Sequence, residues 1–373
     1  MASSVQLMLL IGKVLAAPAP QELMDAVRSV QVTSAAGQRS GFQVTFAVSK
    51  RSVVTQALLP SGLLDPPTRV VIAVVVGGTL DVLMDGVVTR HDVAPGESPG
   101  SSTLTVTGED LTVLMDVEDV RQCYPAMPLN VRVLRILLKY AHYGIIPAPV
   151  PAVIFSVKTP IEEIPIQSGT DLDYIKALAS EAGYTFHLIP GPVPNVSTAY
   201  WGPQVRAGLV QPALTVDSGA ATNVESLTFS FDGLSRAEYT VQITEPTTKI
   251  SFSVPLPNVS LLRPPLAVRP AIALKRQPLP NQSGRAVTDI LLRGLSKTAQ
   301  SSDAVTGQGK LDVLRYGHIL KSRNLVGVRG AGLAYDGLYY VSSVTHDIKR
   351  GEYKQSFSLT RDGFVPFSDR VMT

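Results

Sequence analysis

The chain of 373 residues contains one cysteine, Cys123. A single thiol excludes an intrachain disulfide and a cysteine-based zinc site, and such a residue reads as a small buried hydrophobe. Charge is also scarce. Asp, Glu, Lys and Arg make up 17% of the residues, against about a quarter in ordinary soluble domains. That shortfall suits a surface covered by partners. The net charge is +3 and no Lys/Arg run occurs, which argues against nucleic-acid recognition. Aromatic residues, at 6%, are too few to furnish broad carbohydrate-binding platforms. No stretch reaches the ~18 apolar residues of a membrane helix. The N-terminal run from Val5 to Ile11 imitates a signal peptide, but nothing basic precedes it and Lys13 interrupts it. It predicts a first β-strand ending at Gly12.

What the chain does have is punctuation, with 28 prolines and 29 glycines, as in a turn-rich, mainly β protein. "QELMDAVRSVQVTS" predicts a helical turn and a strand. "SGFQVTFAV" alternates through Phe42, Val44, Phe46 and Val48, as a half-buried strand does. The unbroken apolar run "TRVVIAVVV" predicts a strand covered on both faces. With "TLDVLMDGVVTRHDV" and "TLTVTGED" these strands make a barrel or sandwich. The period then changes. "EDLTVLMDVEDV" and "NVRVLRILLKYAHYG" predict helices, the second with Val131, Leu134, Leu138 and Ala141 on its apolar face and Gly144 as its C-cap. "SGTDLDYIKALASEAGY" predicts the clearest helix, capped by Thr170 or Asp171, with Leu172, Ile175, Leu178 and Ala179 as its stripe and Gly183 at its end. "ESLTFSFDGLSRAEYTVQI" predicts a hairpin around Asp-Gly. After a proline-rich stretch and a short helix, the chain ends in strands.

A second pattern spans the molecule. "DGVVTRHDVAPGE" (Asp85 to Glu97) and "DGLYYVSSVTHDIKRGE" (Asp336 to Glu352) share Asp-Gly, a β-prone run, His-Asp and Gly-Glu, and similar strands follow each. This predicts two copies of one barrel, with Asp85-Gly86 superposing on Asp336-Gly337 as turns, His91 on His346 and Glu97 on Glu352. The fold class expected is mainly β: two antiparallel β-barrel domains with an α/β section between them and a Pro-rich insertion in the second. Residues 1–112 form the first barrel, 113–212 the helical α/β section, 213–245 with 308–373 the second barrel, and 246–307 the insertion. Three copies of a two-barrel chain place six barrels in a ring, so a homotrimer can join a threefold object to a sixfold one.

Signs of chemistry are few. The histidines, His91, His142, His187, His318 and His346, form no ligand motif. His91 and His346 read as hydrogen-bonded turn residues. The carboxylates Asp116, Glu118 and Asp119, and Glu162 with Glu163, read as solvated faces or linker rather than a facing glycosidase pair. No GxSxG or phosphate loop occurs. No catalytic, cofactor or metal residue is assigned. Tyr200 and the only tryptophan, Trp201, sit in a Pro-rich loop, where they either anchor an interface or plug a small core.

In order along the chain, "VLMDGVVTRHD", "YPAMP", "TDLDYIKALASEAGYTFHL", "ATNVESLTFSFD" and the segment from "LDVLRYGHIL" to "SFSLTRDG" resemble the baseplate hub proteins of contractile phage tails and contractile injection systems. This late-control-D-like group also forms the first half of type VI secretion spike proteins. The resemblance covers nearly the whole chain. It implies two tail-tube-like barrels, a homotrimer and a lumen continuous with the tail tube. It also implies as partners the tail tube or a tube-initiator protein, a central spike, baseplate wedge proteins and a tape-measure protein or cargo in the lumen. Assembly in the bacterial cytoplasm follows, with neither cofactor nor membrane insertion. Many members continue into an oligosaccharide-binding-type barrel and a needle, whereas this sequence stops at Thr373, so the spike is expected as a separate polypeptide. The competing classes are a tail-tip carbohydrate-binding protein and a cell-wall-degrading one.

Overall fold

The computed structural model describes residues 5–97, 101–151, 164–206, 210–244, 251–256, 263–280 and 287–367. Strands β1 (Val5–Gly12) and β2 (Ala17–Pro18), helix α1 (Gln21–Asp25) and strands β3 (Val27–Ala35), β4 (Gly41–Val48), β5 (Arg69–Val76), β6 (Thr79–Ala94) and β7 (Ser102–Asp110) open the chain. A mixed section follows with β8 (Asp119–Cys123), α2 (Leu129–Leu138), β9 (Ile145–Pro149), β10 (Ile166–Thr170), α3 (Asp171–Ala182), β11 (Thr185–Pro190) and β12 (Ser197–Gly202). Then come β13 (Val210–Thr215), β14 (Ser226–Phe231), β15 (Ala237–Thr244), β16 (Ser251–Pro255), β17 (Ala267–Pro270), β18 (Lys275–Pro278) and α4 (Val287–Gln300). The chain closes with β19 (Val305–Asp312), α5 (Val313–Tyr316), β20 (Leu325–Arg329), β21 (Gly337–Lys349), β22 (Glu352–Arg361) and β23 (Gly363–Pro366).

The fold is mainly β, and its topology is duplicated. In the first unit the spatial order is β3-β4-β7-β6-β5-β1; in the second it is β14-β19-β22-β21-β20-β13. Chain order is the same in both, strand for strand. One pair departs from the match: β1 runs antiparallel to β5, whereas β13 runs parallel to β20.

The two units are joined edge to edge. Strand β21 of the second pairs with β3 of the first from Ser343↔Ala35 to Lys349↔Ser29, so both belong to one 13-stranded sheet. One core also runs through both, from Val44, Phe46, Ile72 and Leu104 to Leu311, Val341, Phe357 and Leu359. Joining two open edges satisfies backbone groups that would otherwise face water or a foreign strand.

Strand β5 explains its own apolar run. Val70, Ile72 and Val74 enter the main core, while Val71 packs with Leu10 and Ala16 on the opposite face. The middle section has its own core around α3, whose Leu172, Ile175, Leu178 and Ala179 are buried. Thr170 caps this helix by accepting from the Asp173 amide at 3.2 Å, and Gly183 ends it at φ +69°.

Several expectations fail. The helix over "EDLTVLMDVEDV" shrinks to a 3₁₀ turn at Leu111–Met115 followed by β8. Helix α2 buries Leu129, Val133, Ile136 and Leu137, leaving Val131, Leu134 and Leu138 exposed. The hairpin over residues 226–244 does not form: β14 pairs with β19, and β15 pairs with β16 and β18 in a small sheet against α4. Cys123 is exposed on the two-stranded β8–β10 sheet rather than buried.

Candidate functional site

The sheet has two chemically different faces. Leu104, Val106, Phe357 and Leu359 point into the core, and their alternating neighbours Thr103, Thr105, Thr107, Ser356, Ser358 and Thr360 point away. Period-two alternation carries this polarity across both units. One cross-strand row reads Lys354, Asp347, Gln31, Gln43, Thr107, Arg90. The next reads Glu352, Lys349, Ser29, Thr45, Thr105, Asp92. These rows hold three cations and three carboxylates, and the charges pair locally. Arg90 meets Asp92 at 2.7 Å, and Lys354 meets Glu352 at 3.1 Å and Glu225 at 2.8 Å. This face is mildly polar and its charges balance.

The hairpin residues picked out by the sequence do not superpose. A bulge after Val88 in β6 has its counterpart after Val341 in β21. The Val88 amide donates to Thr68 O at 2.8 Å, just before β5 starts, and the Val341 amide to Asn324 O at 2.9 Å, just before β20 starts. This register makes Val88 equivalent to Val341, Asp85 to Leu338, His91 to Val344 and Val93 to His346. The duplication is present in the topology; the Asp-Gly and His-Asp matches are coincidental.

Asp85 and Gly86 lie mid-strand in β6, not in a turn. The Asp85 carboxylate is fully buried and accepts two bonds from Arg69, at 2.7 and 2.6 Å, and one from the Ser197 hydroxyl at 2.8 Å. It thus ties the first unit to β12 of the middle section. Gly86 permits close strand approach, since a β-carbon there would lie 2.2 Å from Glu109 O. Asp336 does occupy a turn, and its carboxylate accepts from the Ala331 amide at 2.8 Å. Gly337 follows at φ +113°, and Arg361 donates to the Asp336 carbonyl at 2.6 Å. His91 is half-exposed, with Nε2 3.2 Å from Asp65 Oδ1. His346 is buried, and its Nδ1 faces the Tyr353 hydroxyl at 2.8 Å and the Gln355 amide at 3.3 Å. Burial, assisted by the Lys321 charge, pushes its pKa down to about 3. Glu97 is exposed in a bend, and Glu352 opens β22.

Trp201 is fully buried, donates to Ile175 O at 3.3 Å and meets Tyr184 edge-on at 4.8 Å, so it plugs the core of the middle section. The Tyr200 hydroxyl donates to Pro203 O at 2.7 Å. Asp116 is held below the usual carboxylate range by Arg39 and accepts from the Thr170 hydroxyl. Glu162 and Glu163 lie outside the described residues. Sequence reasoning missed the Arg69–Asp85 anchor; an arginine bordering the apolar run was the available signal. It also missed Arg323, which braces the joint between the units by donating to Ser34 Oγ at 3.1 Å and Ala35 O at 2.6 Å.

A cleft of about 840 Å³ opens between α3, β11 and this joint, lined in part by Lys176, His187, Lys297, Lys321 and Arg323. Two of these cations are committed, Arg323 to β3 and Lys321 to Asp81. Among the described residues, no group of three His, Cys, Asp or Glu side chains could hold a metal ion, and no helix is long and apolar enough to cross a membrane.

No protein-family model matches the chain, and no curated protein matches it by sequence. Solved structures do share its fold. A prophage MuSo2 tail protein from Shewanella oneidensis matches with a TM-score of 0.63 at 13% identity, over 97% of this chain and 100% of that one. A tail protein from Neisseria meningitidis matches with a TM-score of 0.62 at 12% identity, over 97% and 98%. An E. coli component of the type VI secretion system, itself similar in structure to the T4 bacteriophage tail proteins gp27 and gp5, matches with a TM-score of 0.51 at 12% identity, over 93% and 75%. The fold of this chain is therefore one found in phage tail proteins and in a type VI secretion component.

Proposed function

We propose that the protein is the structural baseplate hub of a contractile tail or injection system. It acts as a homotrimer with pseudo-sixfold symmetry, joining a hexameric tail tube to a trimeric central spike, and carries out no reaction. The observation that carries this reading is the repetition of one six-strand topology within a single chain. A ring of three such chains presents six similar units to a sixfold tube and three chain-specific surfaces to a threefold spike. The Ser/Thr/Gln face with its paired charges lines the lumen, where a tape-measure protein or cargo passes without sticking. Tube, spike and wedge proteins cover the remaining surface, in keeping with the low charge content. Assembly takes place in the bacterial cytoplasm before the particle acts.

Native mass measurement of the pure protein, alone and with its spike, tests this. The expected mass is three times the 39.8 kDa chain. A monomer or hexamer in the assembled particle overturns the reading, as does muramidase activity or glycan binding by the chain.

A further inference from the structure

The joint within the chain specifies the joint between chains. Strand β21 has two partners along one edge. Its first residues, Gly337 to Tyr340, pair with β20; from Ser343 to Lys349 that edge is taken by β3. Strand β6 begins in the same way, pairing with β5 up to Val87. From Thr89 to Ala94, however, no described strand covers the corresponding edge. The counterpart of β3 in the second unit is β14. It pairs with β19 on one side and, among the described residues, with no strand on the other. One half of the joint is thus free at each end of the duplicated sheet.

The register follows from the pairings. On β21 and β6, Val344 corresponds to His91, Thr345 to Asp92 and His346 to Val93. On β3 and β14, Gln43 and Gln308 occupy equivalent places on the adjoining strands, so Gln31 corresponds to Thr228, Val32 to Phe229 and Thr33 to Ser230. In the covered joint Thr345 lies opposite Thr33 and His346 opposite Val32. Transferred to the free edges, Asp92 lies opposite Ser230 and Val93 opposite Phe229.

We propose that β14 of one copy pairs antiparallel with residues 90–94 of β6 in the next copy, with Asp92 opposite Ser230 and Val93 opposite Phe229. This rests on the homotrimer reading and adds its contact. The contact is head-to-tail, so it cannot make a twofold dimer; under the homotrimer reading three such contacts close a ring. The exposed apolar side chains support it. Val93 is 50% exposed and Phe231 42% exposed in the single chain. Their strand positions put both on the core side of the sheet, where the pairing covers them. The equivalents of His91 and Val93 in the covered joint, Val344 and His346, are buried. Asp92 can accept from the Ser230 hydroxyl, repeating the Thr33–Thr345 contact in charged form. Arg90, His91 and Asp92 also make the free edge a poor template for unrelated strands.

Cysteine cross-linking reads the register directly. Opposed residues on antiparallel strands lie about 4.5–5.5 Å apart at Cα, within disulfide range. With Cys123→Ser as background, oxidised Asp92→Cys/Ser230→Cys protein should give covalent dimers and trimers and nothing larger. Each single cysteine, and the displaced pair Asp92→Cys/Ser226→Cys, should give none. Val93→Glu, at a position exposed in the single chain, should keep the melting curve of the monomer and reduce trimer at least tenfold at equal concentration. A native trimer in which the displaced pair links as well as the matched one, or neither links, overturns the register while the trimer stands. A covalent ladder beyond three chains keeps the strand contact and overturns the ring of three. Protein that neither links nor forms a trimer overturns both.

Discussion

Thr33 and Thr345 meet hydroxyl to hydroxyl at 3.1 Å, across 312 residues of chain. The contact lies in the β21–β3 joint, so the second unit closes onto the first within one polypeptide. Thr33→Cys/Thr345→Cys in a Cys123→Ser background should therefore form its disulfide inside the monomer, with no added mass on a denaturing gel. The cross-link should raise stability by about 2–4 kcal/mol in urea titration. Dimers linked through this pair would mean that the joint forms between chains instead.

Gly86 and Gly337 should both resist alanine, for different reasons. At Gly86 the added carbon lies 2.2 Å from Glu109 O, which is backbone and cannot rotate away. At Gly337 it lies 2.3 Å from the Pro366 side chain, and φ is +113°. Forced overpacking costs about 1–3 kcal/mol, and the left-handed φ adds about 1 kcal/mol at Gly337. Gly37→Ala, at φ +80° with nothing within 4 Å, isolates the conformational part. Urea midpoints should rank Gly37→Ala mildest. Equal losses at all three sites would remove the close-approach argument.

The Arg69–Asp85 pair should behave as a buried ion pair does. Both side chains are sealed from solvent, and Arg69 also donates to Val14 O at 2.6 Å. Arg69→Met alone leaves the buried Asp85 charge without its cation and should cost about 3–5 kcal/mol. Adding Asp85→Leu should recover much of that loss. A double variant no more stable than Arg69→Met would show that the pair does more than neutralise itself.

The sequence made the β-rich character legible because alternation and continuous apolar runs are local signals. "SGFQVTFAV" and "TRVVIAVVV" could pack in few other ways. Helix α3 was equally legible, with a cap, a stripe and a glycine stop in order. Helix α2 was not: "LNVRVLRILL" carries apolar residues around much of its circumference, and only the tertiary partner decides which stripe is buried. The Asp-Gly between β14 and β15 looked like a hairpin, but β14 pairs with the remote β19, and β15 with the next strand, β16, and with β18. The bond from Ser197 to Asp85 could not be read, because the two residues lie 112 positions apart in sequence. The repeated hairpin led to a duplication through residues that turn out not to be equivalent. Exposure on two free edges, the property that fits Val93 and Phe231 to an interface, has no signature in sequence.

His346 makes the joint acid-sensitive. The ring is buried between the units, opposite Val32. The Tyr353 hydroxyl and Gln355 amide both face Nδ1 and suit a neutral imidazole that accepts there. Burial lowers the folded-state pKa from 6.5 to about 3, and the Lys321 charge contributes in the same direction. The unfolded chain therefore takes up a proton below pH 6.5 that the folded chain refuses. Stability from this group is fully present above pH 6.5 and falls as pH drops towards 3. The loss is on the order of 5 kcal/mol across that window, at 1.36 kcal/mol per pKa unit. His187, pushed down to about 3 by burial and by Arg323, adds a loss of the same sign. His346→Gln keeps an acceptor for Tyr353 and removes the titration. At pH 7 the variant should fold and assemble, and between pH 6.5 and 4 its urea midpoint should fall less steeply than the parent's. Identical slopes would mean that His346 is not held neutral. Normal trimers and particles that no longer function at pH 7 would give the histidine a chemical role that the hub reading lacks.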